Sequence, residues 1–567
     1  MKKWEIVNKS KGDDIIKILL ENRGLKTKKD IELFLNPPDP SKLTASDVGI
    51  DKASLVKAIT RIQKAIHDKE SIVVYADYDA DGITAGAIMW EALHSLGANV
   101  MPYIPHRVEE GYGLSVKGID AVREQFDPSL IITVDHGITA WEKVKYARSQ
   151  GIDVIITDHH VKPKKLPDCT TIHTTKLSGA GVSWFLAKEV LGVLKRRHPA
   201  WQGDAFIELA AIGTIADMMP LTGPNRSIVK YGLAAINLTT RVGLEALIAD
   251  AGFTKGALDV YTVSHALAPR LNAMGRLEHA MDALRLICTK QEVKARLLAG
   301  KLGLINRQRQ KLTEETLVHA LKGLTLRWQG ETFSESKLIF ISHESYNQGV
   351  IGLVAGKLVE EYYRPAIVVS KGEIFSKASA RSINGFNIVE AIRSCSDILV
   401  DVGGHPMAAG FTVETKNLAV LQERLEKLIE KELDEDKLTR TLKIDAEIPL
   451  DDVTPELYKE LQKLQPFGFG NPEPVFATRD VVVKETRLVG ADGKHLKLRV
   501  SSSVNPILTV IPAKAGIQSF LDAIAFNFGS LYGKLQNNSI VDLAYTIDMN
   551  TWNGNSRLQL KVKDIRL

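Results

Sequence analysis

From about residue 70 the chain alternates short apolar runs, rich in β-branched residues, with amphipathic stretches of helical period, the pattern of a parallel sheet with crossover helices. Ser71–Ala76 (SIVVYA) reads as a strand, and Ile83–Leu96 (ITAGAIMWEALHSL) has helical spacing that stops at Gly97, a residue able to take the left-handed cap conformation. A strand at Val100–Ile104, a helix near Gly118–Gln125, the strand Leu130–Val134, the helix Ala140–Gln150 and the strand Asp153–Thr157 follow. Together they predict a doubly wound α/β unit.

Val293–Leu324 is highly charged, helical in spacing and free of proline, so it predicts a long connecting helix rather than a linker. A second α/β pattern comes after it: strand Lys337–Ile341, helix Gly352–Glu361, strand Ala366–Ser370, helix Ile388–Ser394 and a glycine-rich turn at Gly403–Gly404. From Leu442 onward the runs are short and alternating, as in an antiparallel barrel or sandwich, and helix largely disappears.

A chain of 567 residues exceeds one hydrophobic core and predicts several domains. No uninterrupted apolar run approaches the ~20 residues of a membrane helix. The N-terminal MKKWEIVNKSKGDD lacks the apolar core of a secretory signal, which predicts a cytoplasmic protein. Cys169, Cys288 and Cys395 are odd in number and far apart, suiting neither a disulfide framework nor a CxxC zinc site. The net charge of +5, from 73 basic and 68 acidic residues, is compatible with a polyanionic partner without requiring one.

The chemistry concentrates at strand ends. Asp77, Asp79 and Asp81 lie in DYDADG directly after the first strand of the α/β unit, at the carboxyl edge where open parallel sheets bind ligands. Carboxylates at this spacing repel one another unless a cation neutralises them. An EF-hand loop would require a glutamate where Ile88 stands, and a solvated acidic turn remains an alternative for this segment alone. The next two strands run into Asp135-His136-Gly137 and Asp158-His159-His160, so three strands present acidic or imidazole groups at one sheet edge. Mixed oxygen and nitrogen donors suit manganese better than calcium. Asp217, in GTIADMMP after the apolar run Ile207–Ala216, would need a compensating charge if buried.

DYDADG, the Asp-Gly-Ile-like DHGI, TDHH and GTIADMMPL resemble the motifs of the DHH phosphoesterase superfamily. Within it, the chain is similar to the RecJ single-strand-specific exonucleases through PHRVEEGYGL, LSGAGVSWFL, LAPRLNAMGRL, NQGVIGLVAGKL, SARSINGFNI and GGHPMAAGF. The resemblance implies a DHH catalytic domain at 49–290 behind an N-terminal segment 1–48, and a connecting helix at 291–328. It further implies a DHHA1 substrate-binding domain at 329–436 and an OB-fold DNA-binding barrel at 437–567. Two Mn²⁺ ions, with Mg²⁺ as a possible substitute, would be held by Asp77, Asp79 and Asp135 on one side and Asp81, Asp135, His159 and Asp217 on the other, to activate water. His160 would face the scissile phosphate as a catalytic group beside Asp81 and Asp135, with a role in orienting His159 as the alternative. Arg107, Arg270, Asn272, Arg276, Ser379, Arg381, Gly404 and His405 would bind the strand, Ser379 and Arg381 taking a 5′ phosphate; for each arginine a structural ion pair is the alternative.

By the same resemblance the activity is 5′-to-3′ hydrolysis of single-stranded DNA to mononucleotides in repair and recombination, by a monomer working with a helicase and a single-strand-binding protein. Barrel residues Lys494, Lys497, Phe526, Phe528 and Trp552 are candidates for tracking and stacking the strand. The sequence departs from the family at His136, at Asn347 and in an apparent insertion, Val504–Phe520.

Overall fold

The computed structural model describes residues 2–8, 14–107, 109–194, 205–327, 336–502, 520–552 and 555–567. The chain forms two units: Asp39–Met219 with Ser227–Arg440, and Met1–Pro38 with Pro220–Arg226 and Thr441–Leu567. The expected N-terminal segment is therefore divided, because its first strand, β1 (Lys3–Ile6), pairs in parallel with a strand near residue 441 while residues from Asp39 on belong to the α/β unit.

In the larger unit the first sheet is parallel throughout, in the order β3 (Asn99–Tyr103), β2 (Ser71–Ala76), β4 (Leu130–Val134), β5 (Asp153–Asp158), β6 (Thr170–His173). The amphipathic helix Val116–Phe126 starts where Ser115 Oγ accepts from Gly118 N–H. It buries Ile119 and Val122 with Val144 and Ala147 of the helix Trp141–Ser149 against Val73, Ile131 and Ile156 of the sheet. Each of these isoleucine and valine side chains contributes roughly 1.5–3 kcal/mol when removed from water. The opposite face is covered by the helices Ala80–Ser95 and Gly179–Leu194. Strand order reverses at β2, so the crossovers diverge beside the carboxyl ends of β2 and β4, which opens a crevice there.

The helix Glu292–Arg327 extends the one read from the sequence by little at either end. The second sheet of this unit runs β10 (Leu399–His405), β11 (Ala408–Glu414), β9 (Phe375–Arg381), β8 (Ala366–Ser370), β7 (Ile339–His343), with only β7 and β8 parallel. Gly403 and Gly404 are not a turn. They lie inside β10, opposite Gly410 and Ala409 of β11, and the reversal falls at Pro406 and Met407. Glycines give a strand no apolar alternation, which is why the pattern was silent there.

The smaller unit holds β12 (Thr441–Ile444), partner of β1, and a barrel of β13 (Ala446–Glu447), β14 (Phe476–Val489), β15 (His495–Ser501), β16 (Leu521–Ala525), β18 (Asn555–Arg566) and β17 (Ile540–Trp552), closed by pairing of β14 with β17. Its core includes Phe476, Leu498, Leu543, Tyr545 and Leu560, joined by Leu19 and Phe34 from the N-terminal helices. Phe528 packs against that core, whereas Phe526 is exposed beside the edge of His495. Lys494 and Lys497 pair with Asp492 and Asp522. The Trp552 side chain and, apart from Phe520, the insertion Val504–Phe520 lie outside the described residues. Among the described residues no single helix is long and apolar enough to cross a membrane.

Candidate metal centre

Each strand end contributes one acidic turn to the crevice. Asp79 caps the helix Ala80–Ser95, its Oδ1 accepting from the Asp81 and Gly82 N–H groups at 2.9 and 3.0 Å, which leaves Oδ2 for another partner. The Asp81 carboxylate accepts from the Gly179 and Ala180 N–H groups (2.7 and 2.9 Å) at the start of the helix Gly179–Leu194. Asp135, just past β4, adopts φ +69°, a left-handed conformation that costs a non-glycine residue and marks a constrained position. Two glycines are required by close approach: a Cβ at Gly179 would sit 2.2 Å from Asp135 Oδ1, and one at Gly213 would sit 2.3 Å from Asp81 Oδ1.

These turns assemble ligand atoms into groups within 4.8 Å of one another: Asp77, Asp79 and Asp135 in one, Asp81, His159 and Asp217 in a second, and Asp135, His159 and His160 in a third. His159 Nε2 lies 3.1 Å from Asp135 Oδ1 and 3.7 Å from Asp217 Oδ2. Asp135 is shared between groups. Asp77, Asp81 and Asp135 are buried, and burial followed by the neighbouring charges pushes all of their carboxyls upward; for Asp217 burial, then Asp81 and Asp79, push it up to about 8. Burial and His160 hold His159 down at about 4, keeping it neutral, the form in which imidazole ligates a metal.

The donor set fits a hard divalent cation. Asp77 Oδ1 and Asp135 Oδ1 are buried with no hydrogen-bond partner among the described residues, and like charges this close persist only with a compensating ion. Carboxylate oxygens with one or two imidazole nitrogens match Mn²⁺ or Mg²⁺.

Asp158 organises the neighbourhood, a part the sequence reading did not assign to it. Its Oδ2 accepts from Ile138 N–H (2.8 Å), while Oδ1 accepts from the His159 and His160 N–H groups (2.6 and 3.0 Å) and faces His160 Nδ1 at 2.8 Å. Burial pulls the His160 pKa down, but the Asp158 hydrogen bond and charge outweigh it and the net shift is upward. His160 Nε2 then faces Tyr112 Oη at 3.4 Å, and its ring lies nearly parallel to that of His405, centroids 6.2 Å apart. The signal for Asp158 was its place at the end of a strand whose two following residues were already candidates.

The remaining expected residues divide by environment. Arg107 lies over the Tyr78 ring at 4.9 Å, and Arg276 Nη1 donates to Gly349 C=O at 3.1 Å. Ser379 and Arg381 meet at the first turn of the helix Ile351–Tyr362, where a Cβ on Gly352 would be 3.3 Å from Ser379 Oγ and 3.1 Å from Arg381 Nη2. Asn272 Oδ1 accepts from Ala80 N–H (2.7 Å) and so supports the aspartate loop. Gly404, at φ +138°, precedes His405 in β10. Arg270 departs from expectation: Nε donates to Asp250 Oδ2 at 3.0 Å and Nη1 to Ala266 C=O at 2.9 Å, so the structural ion pair occupies it. His136 is buried and neutral, its Nε2 on Tyr75 C=O, and Asn347 Oδ1 accepts from Gly349 N–H to shape the start of the following helix.

Three family models match the chain: the DHH family N-terminal domain over residues 71–214, the DHHA1 domain over 335–431 and the RecJ OB domain over 444–564. The single-stranded-DNA-specific exonuclease RecJ of Bacillus subtilis is 36% identical over 97% of this chain and 67% of its own length. That of Thermus thermophilus is 32% identical over 96% of this chain and 74% of its own length, and that of Escherichia coli 30% over 97% and 95%. The crystal structure of Thermus thermophilus RecJ in complex with Mn²⁺ superposes with a TM-score of 0.81 at 29% identity, covering 100% of this chain and 79% of that one, and RecJ from the same organism has also been solved with Mg²⁺. With its fold, its carboxylate crevice and these relatives in agreement, the chain belongs to the RecJ family.

Proposed function

We propose that the protein is a manganese-dependent exonuclease that hydrolyses single-stranded DNA from the 5′ end to mononucleotides. The observation that carries the reading is Asp135: one buried carboxylate, with no hydrogen bond to Oδ1 among the described residues and with His159 Nε2 3.1 Å from that atom, shared between groups of ligand atoms at the carboxyl edge of a parallel sheet. A bound metal pair supplies Lewis-acid polarisation of the phosphate and a lowered pKa for attacking water. Asp77 and Asp79 would hold one ion and Asp81, His159 and Asp217 the other, with Asp135 available to both.

The other roles belong to the chain's own groups. Asp158 holds the His160 ring through Nδ1 and favours its protonated form, which leaves Nε2 to stabilise the phosphate or protonate the leaving oxygen. Arg107 and Arg276 neutralise phosphate beside Asp77 and Asp79, and Ser379 with Arg381 takes the terminal phosphate at a helix N-terminus. Gly404 and His405 oppose His160 across the strand's end. In this reading the domains at 49–290, 329–436 and 437–567 catalyse, hold the substrate end and bind the strand. The enzyme works as a cytoplasmic monomer in repair and recombination, on strands exposed by a helicase and covered by a single-strand-binding protein.

The test is Mn²⁺-dependent digestion of 5′- and 3′-labelled single strands, blunt duplexes and dinucleotides, with Asp81→Ala alongside. Release of labelled mononucleotide first from the 5′ end of single strands, lost in the variant, is the expected result. Preference for dinucleotides or equal attack on duplex sinks the substrate assignment, and full activity of Asp81→Ala sinks the metal assignment.

A further inference from the structure

The helix Glu292–Arg327 reads from the sequence as a connector, yet one of its faces carries two polar side chains without partners. Asn306 is 4% exposed, and its Oδ1 has no hydrogen-bond partner among the described residues; Arg309, one turn on, has a buried Nε in the same condition. Residues at i and i+3 share a helix face, and this helix packs against Ala268–Leu277, which carries Arg276. Leaving a buried amide oxygen or a guanidinium N–H unmatched is costly, so both atoms are placed for a group the chain itself does not supply.

The electrostatics give the sign of that group. Arg276 has three guanidiniums in its surroundings, those of Arg107, Arg309 and Arg381, and burial together with them draws its pKa down to about 10. Neither Arg309 nor Arg381 has a carboxylate among the charges that act on it, and both are lowered by burial alone. Nearby Arg270 shows the contrast, since Asp250 satisfies it. Asp79 offsets part of the positive charge at Arg276, but no carboxylate does so at Arg309 or Arg381, so the group keeps an excess of positive charge that an anion with several acceptor oxygens completes.

We infer that Asn306 and Arg309 are strand-binding residues, which with Arg276 hold a phosphate group of the substrate from the long helix. With the Asn306 amide turned over, Nδ2 takes the place of Oδ1 and can donate to a phosphate oxygen. The group is either the terminal phosphate or an internal diester, two sources with one chemistry. This inference rests on the proposed action on single-stranded DNA.

The test is binding of fluorescent oligothymidylate, 5′-phosphorylated or 5′-hydroxyl, to the full chain in Ca²⁺, together with Mn²⁺-dependent kinetics and thermal unfolding. Arg309→Gln should weaken binding about tenfold or more, raise KM with kcat changed less than about twofold, and reduce the slope of log Kd against log salt by about 0.7. Arg309→Lys should recover the salt slope but not all of the affinity, and Asn306→Leu should weaken binding while the melting temperature stays level or rises. A loss confined to phosphorylated strands assigns the terminal phosphate; an equal loss on both assigns an internal one. Unchanged affinity in Arg309→Gln and Asn306→Leu, or a lower melting temperature with affinity intact, overturns the inference. If the wild-type chain itself binds no single strand, the proposed function fails instead.

Discussion

Two clusters of like charge sit in the larger unit, and they are opposites in more than sign. The aspartates Asp77, Asp79, Asp81 and Asp135 are brought together by strand ends, with Asp217 added from the end of the helix Ile207–Ala216, and backbone N–H groups on Asp81 and glycine contacts on Asp81 and Asp135 leave little slack. The arginines Arg107, Arg276, Arg309 and Arg381 come from a loop, two helices and a strand, on long side chains with few fixed contacts. A rigid anionic cage suits ions whose geometry must be held within tenths of an ångström. A looser cationic group suits a flexible polyanion that must enter, shift by one nucleotide and leave. Neither cluster is self-sufficient: the aspartates lack the positive charge that metal ions bring, and the arginines lack the negative charge that a strand brings.

The largest effects should come from the cage. Asp135→Asn removes a ligand common to two groups, and kcat should fall more than about 1,000-fold in Mn²⁺. In EDTA at pH 8 the same variant should melt a few degrees higher than wild type, because a buried like charge is gone. Activity surviving in Asp135→Asn, or a lower melting point, would break the comparison at its anionic end. Gly179→Ala, which drives a methyl into Asp135, should reproduce most of the activity loss, and unaltered kinetics there would mean the cage is less rigid than argued.

Next in size is Asp158→Asn, expected to lower kcat about 100-fold while Mn²⁺ affinity stays within about tenfold. The sign in pH follows from His160, whose pKa Asp158 raises. If the imidazolium is the acid, activity declines as pH rises through that pKa, and the variant's decline should move to lower pH. An unmoved alkaline limb would take His160 out of that role.

A third effect distinguishes the clusters by pH. Asp81 and Asp217 are pushed up to about 7 and about 8, above their values in the unfolded chain. A carboxyl raised on folding stabilises the fold at low pH, and that contribution is lost as pH rises through the folded value. Metal-free protein should therefore lose melting temperature between pH 6 and pH 8.5, and the gain on adding Mn²⁺ should grow over the same interval. A gain that shrinks with pH would contradict the competition between proton and metal. The smallest effect belongs to Arg270→Ala, which should lower the melting temperature through loss of the Asp250 pair and leave KM within about twofold.

How much of this was legible from residues alone follows the same division. The cage was readable because β2, β4 and β5 are continuous apolar runs, and an acid at the end of each has only one sheet edge to occupy. Its glycine supports were not, since the clash of a missing Cβ at Gly179 or Gly213 depends on packing between distant helices. The arginine group was mostly readable: Arg107, Arg276 and Arg381 lie in recognisable motifs, but nothing along the chain separates Arg270, which has Asp250, from Arg309, which has no acid. Partnership of a long side chain is decided by tertiary neighbours. The same holds for Gly403–Gly404, where a strand without side-chain alternation looked like a turn.

The central claim is that the aspartates hold two neighbouring ions through a shared Asp135. Titrating Mn²⁺ into the metal-free chain, with electron paramagnetic resonance on the loaded protein, tests it directly. Two ions per chain with a spin-coupled signal, both stoichiometry and coupling lost in Asp135→Asn, is the predicted result; a single ion, or two uncoupled ions that survive the substitution, would contradict it.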